Sequence, residues 1–484
     1  MNQAVLAPVL HIVGLLVVAL GGAMMIPAIA DLAVGNVDWQ VFTAASLTTT
    51  FLGGATALAT QRPAISLSLK QGFLLTTLSW VLLPLAAAVP FVYADLNMGI
   101  IDSIFESVSG MTTTGSTVIV GLDNLPPGIL LWRSLLQWIG GIGIIVMAIA
   151  ILPFLRVGGM QLFRTESSDR YEKALPRAHD MIKAITYVYT GLTVLCGLSY
   201  WAAGMSAFDA LNHALATLPT GGYSTHDASF GFFEQPLIHW LGALFMIAGA
   251  LPFTLYVAML TGKRKALWRD SQVRLFLTFV AGSTVLLTVY LVAVRGFGAE
   301  EALRLSAFNV VSVITTTGFA TTDYNAWGAL AITIFFYLTF IGACAGSTTG
   351  GIKMLRIGVM MATLSVYIKR LVYPAGVFPR RFGGQDISSD ITASVMVFTL
   401  AYTGTIAVTA MALSAFGHDF VTSLTAAATA VGNVGPGLGP IVGPAGNFAP
   451  LEPGAKLVLC VAMILGRLEI FTVLVLFVPV YWRQ

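Results

Sequence analysis

Charge is what this chain of 484 residues has least of: Asp, Glu, Lys and Arg make up 10% of it, against 57% hydrophobic residues and a mean hydropathy of +0.84. Ordinary soluble domains carry about 25% charged residues, so that class is excluded and an integral membrane protein is indicated. The net charge of +3 points to no nucleic-acid partner. Cysteine is scarce too: Cys196, Cys344 and Cys460 all lie in apolar segments, which rules out a disulfide framework and leaves each as a small buried hydrophobe. Metal-ligand spacing is missing. His213, His226, Asp227 and His239 form no HExxH or comparable pattern, so they read as polar residues and not as ligands. No Lys or Arg precedes Ala28-Ile29-Ala30, which argues against a signal-peptidase site there.

What the chain has is long apolar runs. Stretches sufficient to cross about 30 Å of hydrocarbon occur at 4–30, 40–61, 71–94, 129–155, 184–204, 236–262, 275–294, 327–352, 391–415 and 455–482, ten in all. If the N-terminus is cytoplasmic, 20 of the 25 Lys and Arg fall in loops on that side, including Arg62, Lys70, Arg156 to Lys183, Lys263 to Arg274, Lys353 to Arg381 and Arg483. The positive-inside rule therefore predicts both termini in the cytoplasm.

Between these runs lies a fourfold repeat. TTGST (113–117), TGGYST (220–225), TTGFAT (316–321) and NVGPG (433–437) share one register when Gly115, Gly222, Gly318 and Gly435 are aligned. Each glycine follows about ten apolar, helix-compatible residues: SIFESVSGM, ALNHALATL, SAFNVVSVI and SLTAAATAV. Such segments are too short to span and too apolar for a solvated loop, so re-entrant half-helices are expected. The unit is span, half-helix, glycine strand, span. It predicts an all-α membrane protein: ten transmembrane helices with four re-entrant pore helices in a pseudo-fourfold arrangement. The expected divisions are a helix pair at 1–61 and repeats at 62–158, 159–262, 263–371 and 372–484.

Four glycine strands meeting on one axis would offer rings of backbone carbonyls to a dehydrated monovalent cation. Glycine suits the task because aligning successive carbonyls takes φ > 0. Candidate cation-binding residues are Thr113, Thr114 and Gly115; Thr220, Gly221 and Gly222; Thr316, Thr317 and Gly318; and Asn433, Val434 and Gly435. Thr113, Thr220, Thr316 and Asn433 would add side-chain oxygens at the inner end, and the C-terminal dipole ends of the half-helices would favour a cation. The bland alternative is small residues letting transmembrane helices approach closely, which four copies in register make hard to sustain.

These motifs, with WRSLLQWIGGIGI (132–144), TGGYSTHD (220–227), GACAGSTTGGIKMLR (342–356), GNVGPGLG (432–439) and GRLEIFT (466–472), resemble the Trk/Ktr/HKT superfamily of potassium transporters over essentially the whole chain. The resemblance implies a pseudo-tetrameric potassium pore in a bacterial inner membrane. It further implies a homodimer working with a cytoplasmic nucleotide-binding regulatory subunit of TrkA type, and potassium as the transported ion with no covalent cofactor. In this superfamily a serine at the first filter glycine goes with sodium permeation, and this chain has Gly115. The fourth strand departs most from the pattern, with Asn433 and Pro436.

Gly342, Gly346, Ser347, Thr348, Thr349, Gly350 and Gly351 interrupt the run at 327–352, and so polar a stretch at membrane depth marks an ion path or a kinked, packed helix. The resemblance makes it an intramembrane gating loop, with Lys353 and Arg356 just below. Gly342 to Gly346 also mimics a nucleophile elbow, but no soluble α/β sheet is predicted to carry one. Arg467 and Glu469 lie inside the last run, where a charge costs about 2.5–3.5 kcal/mol. Arg467 is expected to face the pore and bond to the loop, with Glu469 paired to another helix; the alternative is an arginine that only ties helices together. The basic segments 164–180, 262–270 and 368–384 suit membrane-surface anchoring or docking of the regulator. Proton- or sodium-coupled symport is the alternative to a channel. An intramembrane enzyme is disfavoured because the buried polar residues are mostly Thr, Ser and Gly.

Overall fold

The computed structural model describes residues 3–61, 67–150 and 178–482. Arg62, Arg156, Arg483 and positions 164–177 of the first basic segment lie outside the described residues. The chain is a helical membrane protein. Among the described residues seven helices are long and apolar enough to cross a bilayer, or up to nine if two sharply bent pairs each count as one span. The run at 327–352 is helical only over Ala329–Phe340 before its glycines break it, too few residues to cross.

The leading pair is α1 (Gln3–Ala23) with its continuation α2 (Met25–Val34), packed on α3 (Trp39–Ala59). Gly14 and Gly53 face each other where they cross: a Cβ on Gly14 would stand 2.7 Å from the Gly53 carbonyl oxygen. The Ser46 hydroxyl donates to the Gly21 carbonyl at 2.7 Å, the small-residue crossing expected where apolar attraction between helices is absent. Buried Asp31 of α2 accepts the Gly128 amide at 2.7 Å, fastening the pair to the start of the helix that opens at Pro127.

Four units follow. The first has α4 (Leu69–Ala87), opened by a Ser68/Gln71 capping box, then α5 (Val89–Tyr93), the short α6 (Ile100–Met111) and α7 (Pro127–Ala150). The second has α8 (Ala178–Ala202), short α9 (Ala207–Thr217), α10 (Pro236–Ala250) and α11 (Phe253–Leu260), the last two bent by 90°. A short turn of helix, α12 (Ala266–Arg269), leads to α13 (Ser271–Arg295), α14 (Ala299–Ile314), α15 (Ala329–Phe340) and α16 (Met354–Val372). A two-residue hairpin, β1 (Arg381–Phe382) with β2 (Gln385–Asp386), precedes α17 (Ser389–Ala415), α18 (Phe420–Gly432), α19 (Pro453–Arg467) and α20 (Phe471–Leu474).

Burial sorts the long helices. Of the most apolar window in α7, 72% is buried, whereas the windows in α8, α13 and α17 are 22%, 28% and 28% buried. The first lies at the centre; the other three turn most of their apolar surface outward, as helices in lipid do. The GGIG stretch of α7 is what brings it in: a Cβ on Gly140 would overlap the Met111 carbonyl, and Gly141 lies against Pro219. Those two glycines seat α7 across the C-terminal ends of α6 and α9.

Candidate functional site

Each short helix, α6, α9, α14 and α18, ends within three residues of a strand that carries one of the repeat glycines. The backbone there alternates in hand. Thr113, Thr220, Thr316 and Asn433 have φ of 53°, 53°, 55° and 54°, and the glycines two residues on have φ of 84°, 80°, 88° and 107°. Left-handed glycine is unremarkable, but left-handed threonine is β-branched and costs about 1–2 kcal/mol each. Repeating that cost at three threonines in one register indicates a conformation imposed for use.

The strands close a ring. A Cβ on Gly115 would collide with the Gly221 carbonyl oxygen, one on Gly222 with that of Thr317, one on Gly318 with that of Val434, and one on Gly435 would lie 2.8 Å from that of Thr114. Strand 1 thus touches strand 2, 2 touches 3, 3 touches 4 and 4 touches 1. All four glycines line one cavity of about 80 Å³. The four strands expected to form the site are brought together, and residues up to 321 positions apart in sequence, Thr114 and Gly435, become neighbours. What such a ring can do is present main-chain oxygens from four directions to one small cation.

The inner side chains are engaged with their protein neighbours. Thr316 accepts the Gly350 amide at 2.8 Å and Thr220 donates to the Thr348 hydroxyl at 3.1 Å, so both hold the glycine-rich loop. The Asn433 amide donates to Thr114 Oγ1 at 2.9 Å and to the Met463 carbonyl at 3.0 Å. Thr113 Oγ1 and Asn433 Oδ1 are buried with no hydrogen-bond partner among the described residues.

Directly beneath lies the loop. Phe340 and Ile352 pair across its neck at 3.0 Å, Gly342 donates to the Ile352 carbonyl at 2.9 Å, and Gly346 and Gly351 take φ of 78° and 64°. Ser347, Thr348, Thr349 and Lys353 are buried. Arg467 Nη1 donates to the Thr348 carbonyl at 2.8 Å, while Lys353 Nζ donates to that of Thr349. Arg467 therefore bonds to the loop, as expected, and Glu469 pairs with Arg356 of α16 at 2.5 Å. The chain between α19 and α20 bends by 102°, with Glu469 and Ile470 at φ of 60° and 52°. Gly342, Gly350 and their neighbours pack backbone on backbone: a Cβ on Gly350 would overlap the Gly432 carbonyl at the end of α18. The cavity enclosed by the loop, Arg467 and Glu469 measures about 20 Å³.

Two groups escaped sequence reasoning. Glu106 of α6 and Arg133 of α7 form a fully buried ion pair at 2.8 Å behind strands 1 and 2, and Gln137 bonds both the Gly221 carbonyl (2.6 Å) and the Tyr223 amide (3.1 Å). A carboxylate inside a ten-residue apolar half-helix was the available signal for Glu106. Arg133 stands near the start of the run at 129–155, where a charge reads as the end of a span. At the outer mouth His226 bonds Asp123 at 2.5 Å, and that hydrogen bond holds the Asp123 carboxyl below the usual carboxylate range. Asp227 accepts the Gly121 and Leu122 amides, both at 3.2 Å. Among the described residues no group of three or more His, Cys, Asp or Glu is placed to hold a metal ion.

The sequence profile of the family described as TrkH, cation transport protein, matches residues 38–483. The chain is 47% identical over 479 residues to the Trk system potassium uptake protein TrkI of Halomonas elongata, covering 99% of this chain and 97% of that one. It is 38% identical over 479 residues to the Trk system potassium uptake protein TrkH of Escherichia coli, covering 98% and 99%. The crystal structure of the potassium transporter TrkH from Vibrio parahaemolyticus superposes with a TM-score of 0.91 at 36% identity, covering 99% of this chain and all of that one.

Proposed function

The chain belongs to the TrkH family of cation transport proteins, and from that premise we propose that it takes up potassium through a pore in which the four glycine strands are the selectivity filter. The closed ring of strands carries this reading. Four main-chain segments in an alternating left-handed conformation, each against the next, provide the oxygen cage that replaces a hydration shell. The short helices α6, α9, α14 and α18 are re-entrant pore helices in this scheme, with their negative ends towards the cavity. With them the chain comprises a leading helix pair and four pore repeats, ten spans when the interrupted α15 to α16 segment is included.

An ion enters through the outer vestibule lined by Thr117, Ser224, Asp227 and Asn447, loses water at the ring and leaves past the loop. The loop is the gate. Its cavity of about 20 Å³ has space for about one water, so a hydrated ion does not pass in this conformation. Arg467 latches the loop through Thr348 and adds a positive charge on the ion's route. Opening requires that latch, the Lys353 bond to Thr349 and the Thr316 bond to Gly350 to be exchanged for water. A cytoplasmic nucleotide-binding subunit of TrkA type, docking on the basic segments, and a homodimeric assembly in the inner membrane complete the proposal.

The test is a reversal potential in liposomes under opposing potassium and sodium gradients. A potential following potassium alone is expected. A shift with the proton or sodium gradient would establish coupled symport instead, and a potential indifferent to potassium would refute the filter.

A further inference from the structure

The residue nine positions before each filter glycine is a rear anchor, and it differs in every unit: Glu106, His213, Asn309 and Ala426. Glu106 accepts the Val118 amide at 2.9 Å and the Thr117 hydroxyl at 3.0 Å. His213 Nε2 bonds the Ser224 hydroxyl at 2.9 Å. Asn309 accepts the Thr321 amide at 3.3 Å and donates to its hydroxyl at 2.7 Å. Ala426 has nothing to offer, and Thr425 takes over by accepting the Leu438 amide at 3.1 Å.

Only the first anchor is charged, and it seats an arginine that hydrogen-bonds a second strand. Arg133 Nε donates to Glu106 at 2.8 Å, Nη2 donates to the Thr117 hydroxyl at 3.2 Å, and Nη1 donates to the Ser224 carbonyl of strand 2 at 2.9 Å. Its guanidinium lies 4.1 Å from the centre of the Tyr223 ring, whose hydroxyl returns to strand 1 by donating to the Glu106 and Ser116 carbonyls at 2.8 and 3.2 Å. Both charges are buried, at 1% and 0% exposure. A pair so desolvated is weak as a source of stability, since matched apolar residues do as well. Its value lies in geometry: a planar fork holds three acceptors at fixed separation, which a lysine cannot.

We propose that Arg133, seated on Glu106, is a positioning residue that clamps the outer ends of filter strands 1 and 2 and thereby sets discrimination between potassium and smaller cations. The inference rests on the filter reading. The other ties between units are uncharged, as where the Gly231 amide donates to the Ala320 carbonyl at 3.1 Å and the Ser116 hydroxyl to the Gly435 carbonyl at 2.9 Å, so the clamp is the one charged tie between filter strands among the described residues.

The experiment measures the potassium-over-sodium permeability ratio from reversal potentials in liposomes. The variants are Arg133→Lys, the charge-neutral double variant Glu106→Gln with Arg133→Gln, and Tyr223→Phe. Protein amount and thermal unfolding are followed in parallel. Arg133→Lys and the double variant are expected to lower the ratio about tenfold, the scale of one charge-assisted hydrogen bond, and Tyr223→Phe severalfold, while potassium flux per folded protein persists. A merely structural role would move protein amount and unfolding temperature and leave the ratio alone. Unchanged ratios would overturn the clamp. Should the Arg133 variants not assemble, Tyr223→Phe decides alone, because it removes one hydroxyl and leaves both charges paired. Failure of the filter reading is seen separately, in unmodified protein whose potential ignores potassium.

Discussion

Gly222→Ala tests the ring most directly, because two costs coincide there. At φ of 80° an L-residue pays about 1–2 kcal/mol, and the new Cβ would occupy the space of the Thr317 carbonyl oxygen on the next strand. Non-bonded heavy atoms rest about 3.5–4.0 Å apart, so strands 2 and 3 must part by more than about 1 Å. On the proposed filter reading, that movement enlarges the cage on one side. A change of about 1.4 kcal/mol in relative binding is tenfold in selectivity. Displacing the oxygens of one strand by that distance spoils their fit to a dehydrated potassium ion, so the potassium-over-sodium ratio is expected to fall about tenfold. Gly191→Ala is the control: in α8 a Cβ at Gly191 meets nothing within 4 Å, so helix propensity gains and transport is unchanged. Both variants are reconstituted at equal folded protein and compared by reversal potential and tracer flux. A Gly222→Ala protein that folds and keeps its ratio, or a Gly191→Ala protein that loses it equally, refutes the close-packed ring.

Three further outcomes are expected. Arg467→Ala removes the latch to Thr348, a charge-assisted bond of about 1.5–3 kcal/mol, so basal potassium flux without a regulatory partner should rise about tenfold; equal flux removes Arg467 from the gate. Arg356→Met strands Glu469 in the interior and should cost about 3–5 kcal/mol, read as a fall in unfolding temperature that adding Glu469→Gln largely restores. Because the His226 hydrogen bond lowers the Asp123 carboxyl, its contribution is complete above the ordinary aspartate range and is lost as pH falls through the depressed folded value. Acid unfolding of Asp123→Asn should therefore show a shallower dependence below about pH 4 than the unmodified protein, and identical profiles would show the mouth contact to be inert.

Legibility followed distance along the chain. The four half-helices and their glycines were readable because a short apolar segment and a glycine two residues past a threonine are local signals. The threonines' own left-handed backbone was not, since β-branched residues disfavour it and only surrounding packing imposes it. The pairing of Glu469 was expected in kind, but Arg356 could be named only from coordinates, 113 residues away. The inner hydroxyls went the other way. Thr220 and Thr316, expected as further ion ligands, also hold the loop in this conformation, because the loop brings a hydroxyl and an amide within reach of their buried oxygens.

The amino-acid sequence alone determined that the protein lives in a bilayer, that a glycine motif recurs four times in one register, and where before each glycine a helix gives way. Hydropathy, charge asymmetry and backbone freedom are properties of neighbouring residues, and they act before the chain has folded. Tertiary structure alone decided that the strands close head to neighbour into a ring, that Arg133 straddles two of them, and that Arg467 reaches the loop. Those contacts join residues 91 to 321 positions apart. Their partners are chosen by which surfaces remain once every buried backbone group and charge has been satisfied.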